Sequence, residues 1–154
     1  MKKRICTVLA CALLLAVCAG CGQKKEQVSS FQPEQTVQAL LDSGAFSETL
    51  EELDPTLLFS LPGDAEDYAG SVLVYSTGAT AETAAVILTP DADRAGQAET
   101  ALQTWVDGQI EAERNYRPAE VEKLENAILE VRGNSVLLVV AADWEKAAQA
   151  IPAE

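Results

Sequence analysis

The stretch 127–141, AILEVRGNSVLLVVA, decides the fold. Ala127-Ile128-Leu129-Glu130-Val131-Arg132 and Ser135-Val136-Leu137-Leu138-Val139-Val140-Ala141 are β-prone runs on either side of Gly133-Asn134. Two such runs around a two-residue Gly-containing link form an antiparallel hairpin, because only a tight turn with left-handed backbone fits. The second run is apolar on both faces, which places it centrally in its sheet. Asp143 is positioned to cap a closing helix, Trp144 to Ile151, that Pro152 ends.

Upstream of the hairpin, Pro118 opens a short helix to about Glu125 with Val121 and Leu124 inward. Tyr116-Arg117-Pro118 separates it from the longest helix, Asp91 to Asn115, since the residue before proline is pushed out of the helical region. Ala95, Ala98, Leu102, Trp105, Val106, Gln109 and Ile110 form one largely apolar stripe on that helix, which assigns Trp105 to the core. Gly108 weakens the helix locally. Before it stands a second hairpin: a strand from Tyr68 to Ser76, the turn Thr77-Gly78-Ala79-Thr80, and, although the Ala and Glu of 81–89 also favour helix, a strand from about Thr83 that Pro90 ends. Pro33 opens a first helix through Val37, Leu40 and Leu41, and residues 47–53 read as a second, with Ser47 as N-cap. The order α-α-β-β-α-α-β-β-α implies an α+β domain over residues 33–154. Its core is a four-stranded antiparallel sheet made of two hairpins, with the long helix packed on one face.

The first twenty residues read as an address. Lys2, Lys3 and Arg4 precede the apolar stretch Ile5 to Val17, which is short for a membrane span but suits a signal peptide. Ala19 and Gly20 then stand before Cys21, as in the lipobox of bacterial lipoproteins, where a diacylglyceryl group is attached to the cysteine and the chain is cut before it. Cys18 stands where that pattern usually has leucine, and Val17 makes Cys18 a poorer site for the cut. Two acyl chains anchor stably where one does not. The expectation is therefore a signal peptide over 1–20, a membrane anchor at Cys21, a flexible polar tether over 21–32, and an extracytoplasmic domain held at the cell membrane.

Composition narrows the function. The 154 residues contain 11 Lys plus Arg, 24 Asp plus Glu and no histidine, a formal charge of −13. Loss of residues 1–20 removes three positive charges and takes it from −13 to −16. Such a body is repelled by nucleic acid and by anionic headgroups, so no nucleic-acid partner is expected. Without histidine there is no Ser-His-Asp or Cys-His system and no imidazole zinc site. All four cysteines, Cys6, Cys11, Cys18 and Cys21, lie at the start of the chain, so a lipidated mature chain has no free thiol.

The lipobox, the segment Ser76-Thr77-Gly78-Ala79-Thr80-Ala81-Glu82, the long helix, Tyr116-Arg117-Pro118 and the Gly133-Asn134 hairpin occur in that order. Together they resemble the uncharacterised lipoproteins of domain-of-unknown-function family 4358, found mainly in Firmicutes and especially in clostridia. The resemblance covers about residues 34–150. Glu82-Thr83 departs slightly, since the family often has two acidic residues there. The resemblance implies compartment and fold, and it brings no catalytic residue.

Four features could carry chemistry. Glu51-Glu52-Asp54, Asp64-Glu66-Asp67, Glu111-Glu113 and Glu120-Glu122-Glu125 are dense in carboxylates, but a glycosidase needs one pair across a cleft and nothing marks one, so they read as solvated acidic faces. Asp91-Ala92-Asp93-Arg94-Ala95-Gly96 begins like a calcium loop, yet Leu102 stands where a bidentate glutamate belongs, and the two aspartates suit a helix N-terminus instead. A weak, irregular calcium site among the acidic loops stays open. Residues Thr77, Gly78 and Thr80 read first as a hairpin turn, with backbone N–H groups that could face an anion. Tyr116 and Arg117 form an aromatic-cation pair of the kind enriched at interfaces, or else pack a helix end on the sheet. The chain thus reads as a cell-envelope lipoprotein that binds rather than transforms, with no cofactor and with another envelope protein as partner. The alternative is a small-ligand or metal-binding accessory subunit of a transporter.

Overall fold

The computed structural model describes residues 29–153. The elements in chain order are α1 (Pro33–Asp42), β1 (Glu51–Glu52), α2 (Pro55–Leu58), a single 3-10 turn (Ala65–Tyr68), β2 (Val72–Tyr75), β3 (Thr83–Leu88), α3 (Ala92–Glu113), α4 (Pro118–Glu125), β4 (Ile128–Arg132), β5 (Ser135–Val140) and α5 (Trp144–Ala150). The strands form one antiparallel sheet in the order β1-β2-β3-β5-β4. Its centre is the pairing of β3 with β5, where Thr83 faces Val140, Ala85 faces Leu138 and Leu88 faces Ser135. Every residue of β5 is buried, which is what its unbroken apolar run demands. Gly133, at φ +54, makes the tight turn from β4 that a side chain would resist.

Alternation along the strands divides the core in two. Leu73, Ala85, Ile87, Val136, Leu138 and Val140 pack on Ala95, Ala98, Leu102 and Val106 of α3 and on Leu124 of α4. On the other face, Val74, Ala84, Val86, Leu137 and Val139 pack on Val37 and Leu40 of α1 and Ala147 of α5. The long helix lies on one face as expected, and the opposite face is covered as well. Asp91 caps α3 by accepting from the Arg94 N–H at 2.8 Å, and Asp143 caps α5 by accepting from Lys146 N–H at 3.0 Å.

The sheet has five strands rather than four. Residues 47–53, expected to be helical, instead bring Glu51 opposite Tyr75 and Glu52 opposite Val74. The Leu53 N–H donates to the Leu73 carbonyl at 3.1 Å and extends this edge. Glutamate favours helix over strand, but at a sheet edge both side chains stay in water while the backbone gains partners. Ser47 is no N-cap, because its N–H and hydroxyl both serve Glu82. The strand expected from Tyr68 begins only at Val72, since Tyr68 closes the 3-10 turn and its hydroxyl donates to the Pro62 carbonyl.

The 21–32 segment is not tether to its end. Phe31 is only 4% exposed. Its N–H donates to Ser135 Oγ at 2.9 Å, the Ser30 hydroxyl meets Asn134 Oδ1 at 2.5 Å, and the Arg132 guanidinium lies 4.2 Å from the centre of the Phe31 ring. The domain therefore begins before Pro33. The signal peptide, Cys21 and the first part of the tether lie outside the described residues. Among the described residues no helix is long and apolar enough to cross a membrane.

Candidate functional site

The loop between β2 and β3 is short, polar and heavily bonded. Ser76 donates its hydroxyl to Glu48 and accepts the Thr80 N–H at 3.0 Å. The Thr80 hydroxyl donates to Glu48 at 2.6 Å and accepts the Glu82 N–H at 3.2 Å. Beneath it, Glu82 is fully buried. Its carboxylate accepts from the Ser47 N–H at 2.8 Å and from Lys123 Nζ at 2.9 Å. Lys123 also lies 3.2 Å from Glu120, whose carboxylate accepts the Ala81 N–H at 2.8 Å. Helix α4 thus reaches across to β3 through one ammonium and two carboxylates.

Arg117 holds the outer side of the same loop. Its guanidinium donates to the Gly78 carbonyl at 2.8 Å and the Ala79 carbonyl at 2.9 Å. The remaining N–H groups fork onto Glu113, with Nε at 2.7 Å from one carboxylate oxygen. Gly78 sits at φ +114, a conformation side chains avoid, which lets both carbonyls turn to one cation. The electrostatics follow from these bonds. Hydrogen bonds from Ser76 and Thr80 hold the Glu48 carboxyl below its ordinary range, and the Arg117 hydrogen bond does the same for Glu113. For Lys123, burial works against the charge, but its hydrogen bonds to Glu82 and Glu120 outweigh that and raise it.

These bonds recast the residues singled out by the sequence. Thr77, Gly78 and Ala79 are exposed, and Thr80 is half-buried. The N–H groups of Thr80, Ala81 and Glu82 already serve a hydroxyl or a carboxylate, which disfavours an anion there. Arg117 is spent on Glu113 and the two carbonyls, so the free member of the aromatic-cation pair is Tyr116, 86% exposed. Tyr116 and the loop meet at one end of the molecule through the intervening Arg117. Trp105 is only partly buried, edge-on to Phe59 at 5.3 Å, and with Tyr75, Gln109 and Arg117 it lines a pocket of about 160 Å³. Asp91 serves its helix cap, and no group of three Asp, Glu, His or Cys among the described residues is placed to hold a metal.

The reading of the sequence missed Glu48, Glu82, Glu113, Glu120 and Lys123 as a working set. A signal was present: Glu82 stands immediately before the largely apolar β3, and Lys123 is a rare cation in an acidic chain. No buried side-chain nitrogen or oxygen among the described residues lacks a partner. What this arrangement can do is hold an exposed loop and a tyrosine in fixed relation.

No curated protein and no solved structure matches the chain. One family model does, over residues 63–141, just over half of the chain. That span runs from the 3-10 turn through β5 and contains the loop, Arg117 and the Lys123 network. The family is described as "Domain of unknown function (DUF4358)", and the chain belongs to it.

Proposed function

We propose that this protein is a lipoprotein anchored at Cys21 on the outer side of the cell membrane, and that its domain binds another envelope protein. The observation that carries the binding reading is Tyr116, 86% exposed beside a loop that Arg117 clips in place. A rigid aromatic offered from a pre-ordered base loses little entropy on binding, and tyrosine is enriched where interfaces carry their energy. The sequence before the domain supplies the anchor: a positive leader, an apolar stretch and Ala19-Gly20-Cys21.

Affinity purification from cross-linked intact cells tests this reading with wild type, Cys21→Ala and Tyr116→Ala. The expected result is one stoichiometric partner from wild type, lost without the anchor. Truncation of Tyr116 weakens capture by about thirtyfold, the equivalent of about 2 kcal/mol for an interface anchor. Equal recovery of that partner from Tyr116→Ala, or no partner from abundant wild-type protein, contradicts the proposal.

A further inference from the structure

The two ends of the sheet differ in what they carry. At one end the chain joins the domain: Ser30 and Phe31 are bonded to Asn134 and Ser135 at the β4–β5 turn. The Thr89 N–H donates to the Asn134 carbonyl at 2.9 Å, so the start of α3 lies there too. At the other end, where Thr83 pairs with Val140, lie the 77–80 loop and Arg117. Helix α3 runs from the first end to the second, 22 residues and so about 33 Å. Nine residues lead from Cys21 to Ser30, the first residue bonded to the domain, and an extended chain reaches at most about 3.6 Å per residue, or about 32 Å, no more than the length of that helix. The Ser30 bond to Asn134, with Phe31 buried under Arg132 directly behind it, fixes the point from which that reach is measured.

From this placement we infer that the domain stands on the membrane with a defined polarity: the β4–β5 turn faces the lipid and the surface of Thr77–Ala79 and Tyr116 faces away. The inference rests on the proposed anchor at Cys21 and deepens it by naming the kind of partner. Glu34, Asp91 and Asp93 are exposed at the end that would face the lipid, so it is the reach of the chain and not charge attraction that sets this polarity. The distal surface lies about 30 Å beyond the point where the chain joins the domain. It fits a protein whose bulk stands outside the headgroup layer rather than one embedded in the bilayer.

The lipidated chain offers a clean experiment, because its one cysteine is blocked. Asp93→Cys and Thr77→Cys, both at exposed positions, carry a fluorescent donor in lipidated protein bound to phosphatidylglycerol vesicles with acceptor-labelled headgroups. Ala92→Cys and Asn115→Cys form a second pair should either of the first fail to fold. The expected result is strong energy transfer from the Asp93 position and at least several-fold weaker transfer from the Thr77 position. Phe31→Ala narrows that difference by freeing the attachment. Vesicle-bound protein with equal transfer from both ends, or with the order reversed, overturns the polarity and leaves the anchor standing. Lipid-processed protein that does not stay with vesicles overturns the anchor, and the polarity with it.

Discussion

Lys123 stands between Glu82 and Glu120, 2.9 Å from one and 3.2 Å from the other, in a place where neither carboxylate reaches much water. Removal of one member of a buried ionic group leaves the rest uncompensated, which costs more than the group ever contributed. Lys123→Met is therefore expected to lose about 3 kcal/mol in urea unfolding. Glu82→Gln in the same chain should restore part of the loss, since it removes a stranded charge and keeps an acceptor for Ser47. An additive double-mutant cycle would contradict the network. The same residues set the pH dependence. Glu113 and Glu48 are held below the ordinary 4.5, so their stabilisation is complete above that pH and is lost as pH falls through their lower folded values. Lys123 is held above 10.5, so its share is complete below that pH and is lost as pH rises through its higher folded value. Urea midpoints across pH 3 to 11 should form a plateau with a decline on each side. Glu113→Gln flattens the acid limb in part, because Glu48, Asp54 and Asp143 are also held low, and Lys123→Met flattens the alkaline one in part, because burial also holds Tyr68 high.

Among the elements, α3 carries a weakness that the fold does not require. Gly108 lies in its interior, and a Cβ there would meet nothing within 4 Å. Gly108→Ala is expected to raise stability by about 1 kcal/mol in thermal or urea unfolding, the usual helix penalty of glycine. No change would mean that the helix frays there. The attachment at Phe31 behaves oppositely: Phe31→Ala should lose about 3 kcal/mol, the low end for a buried phenylalanine, and expose the Asn134 N–H to hydrogen exchange. The α3, α4 and β5 elements were legible because each has its own period, cap or proline, whereas β3, whose Ala and Glu also suit a helix, was read from its place after a strand and a turn. Glu51-Glu52 was not, because its strand exists only through pairing with β2 and its side chains argue for helix. Phe31 was hidden for a similar reason: a single aromatic in a polar stretch has no period to read. For the candidate site, Tyr116 and the 77–80 loop stood out by composition, whereas the partners of Arg117 and Lys123 lie tens of residues away and only the fold brings them close.

At the scale of the whole molecule, both sheet faces are occupied, by α3 and α4 on one side and by α1 and α5 on the other. A depression of about 590 Å³ lined by Glu52 to Thr56, Ala65 and Tyr68 to Ser71 is open and carries two carboxylates, Glu52 and Asp54. Recognition through the broad sheet faces is thereby closed off, which leaves the outer helix surfaces, with Leu57 exposed on α2, the sheet edges and the sheet ends. In the proposed account, a chain at −13, or −16 without residues 1–20, is pushed away from anionic lipid, and the inferred attachment at one end would turn that repulsion into an upright stance. The proposed account joins these: anchor at Cys21, attachment at Phe31, display of Tyr116 at the far end. Its most direct test is photo-cross-linking in intact cells, with a benzophenone side chain placed at Thr77 in one strain and at Asp93 in another. The account predicts a discrete protein adduct from position 77, absent in Cys21→Ala, and none of that adduct from position 93. The same protein adduct from position 93, with nothing from position 77, would contradict it.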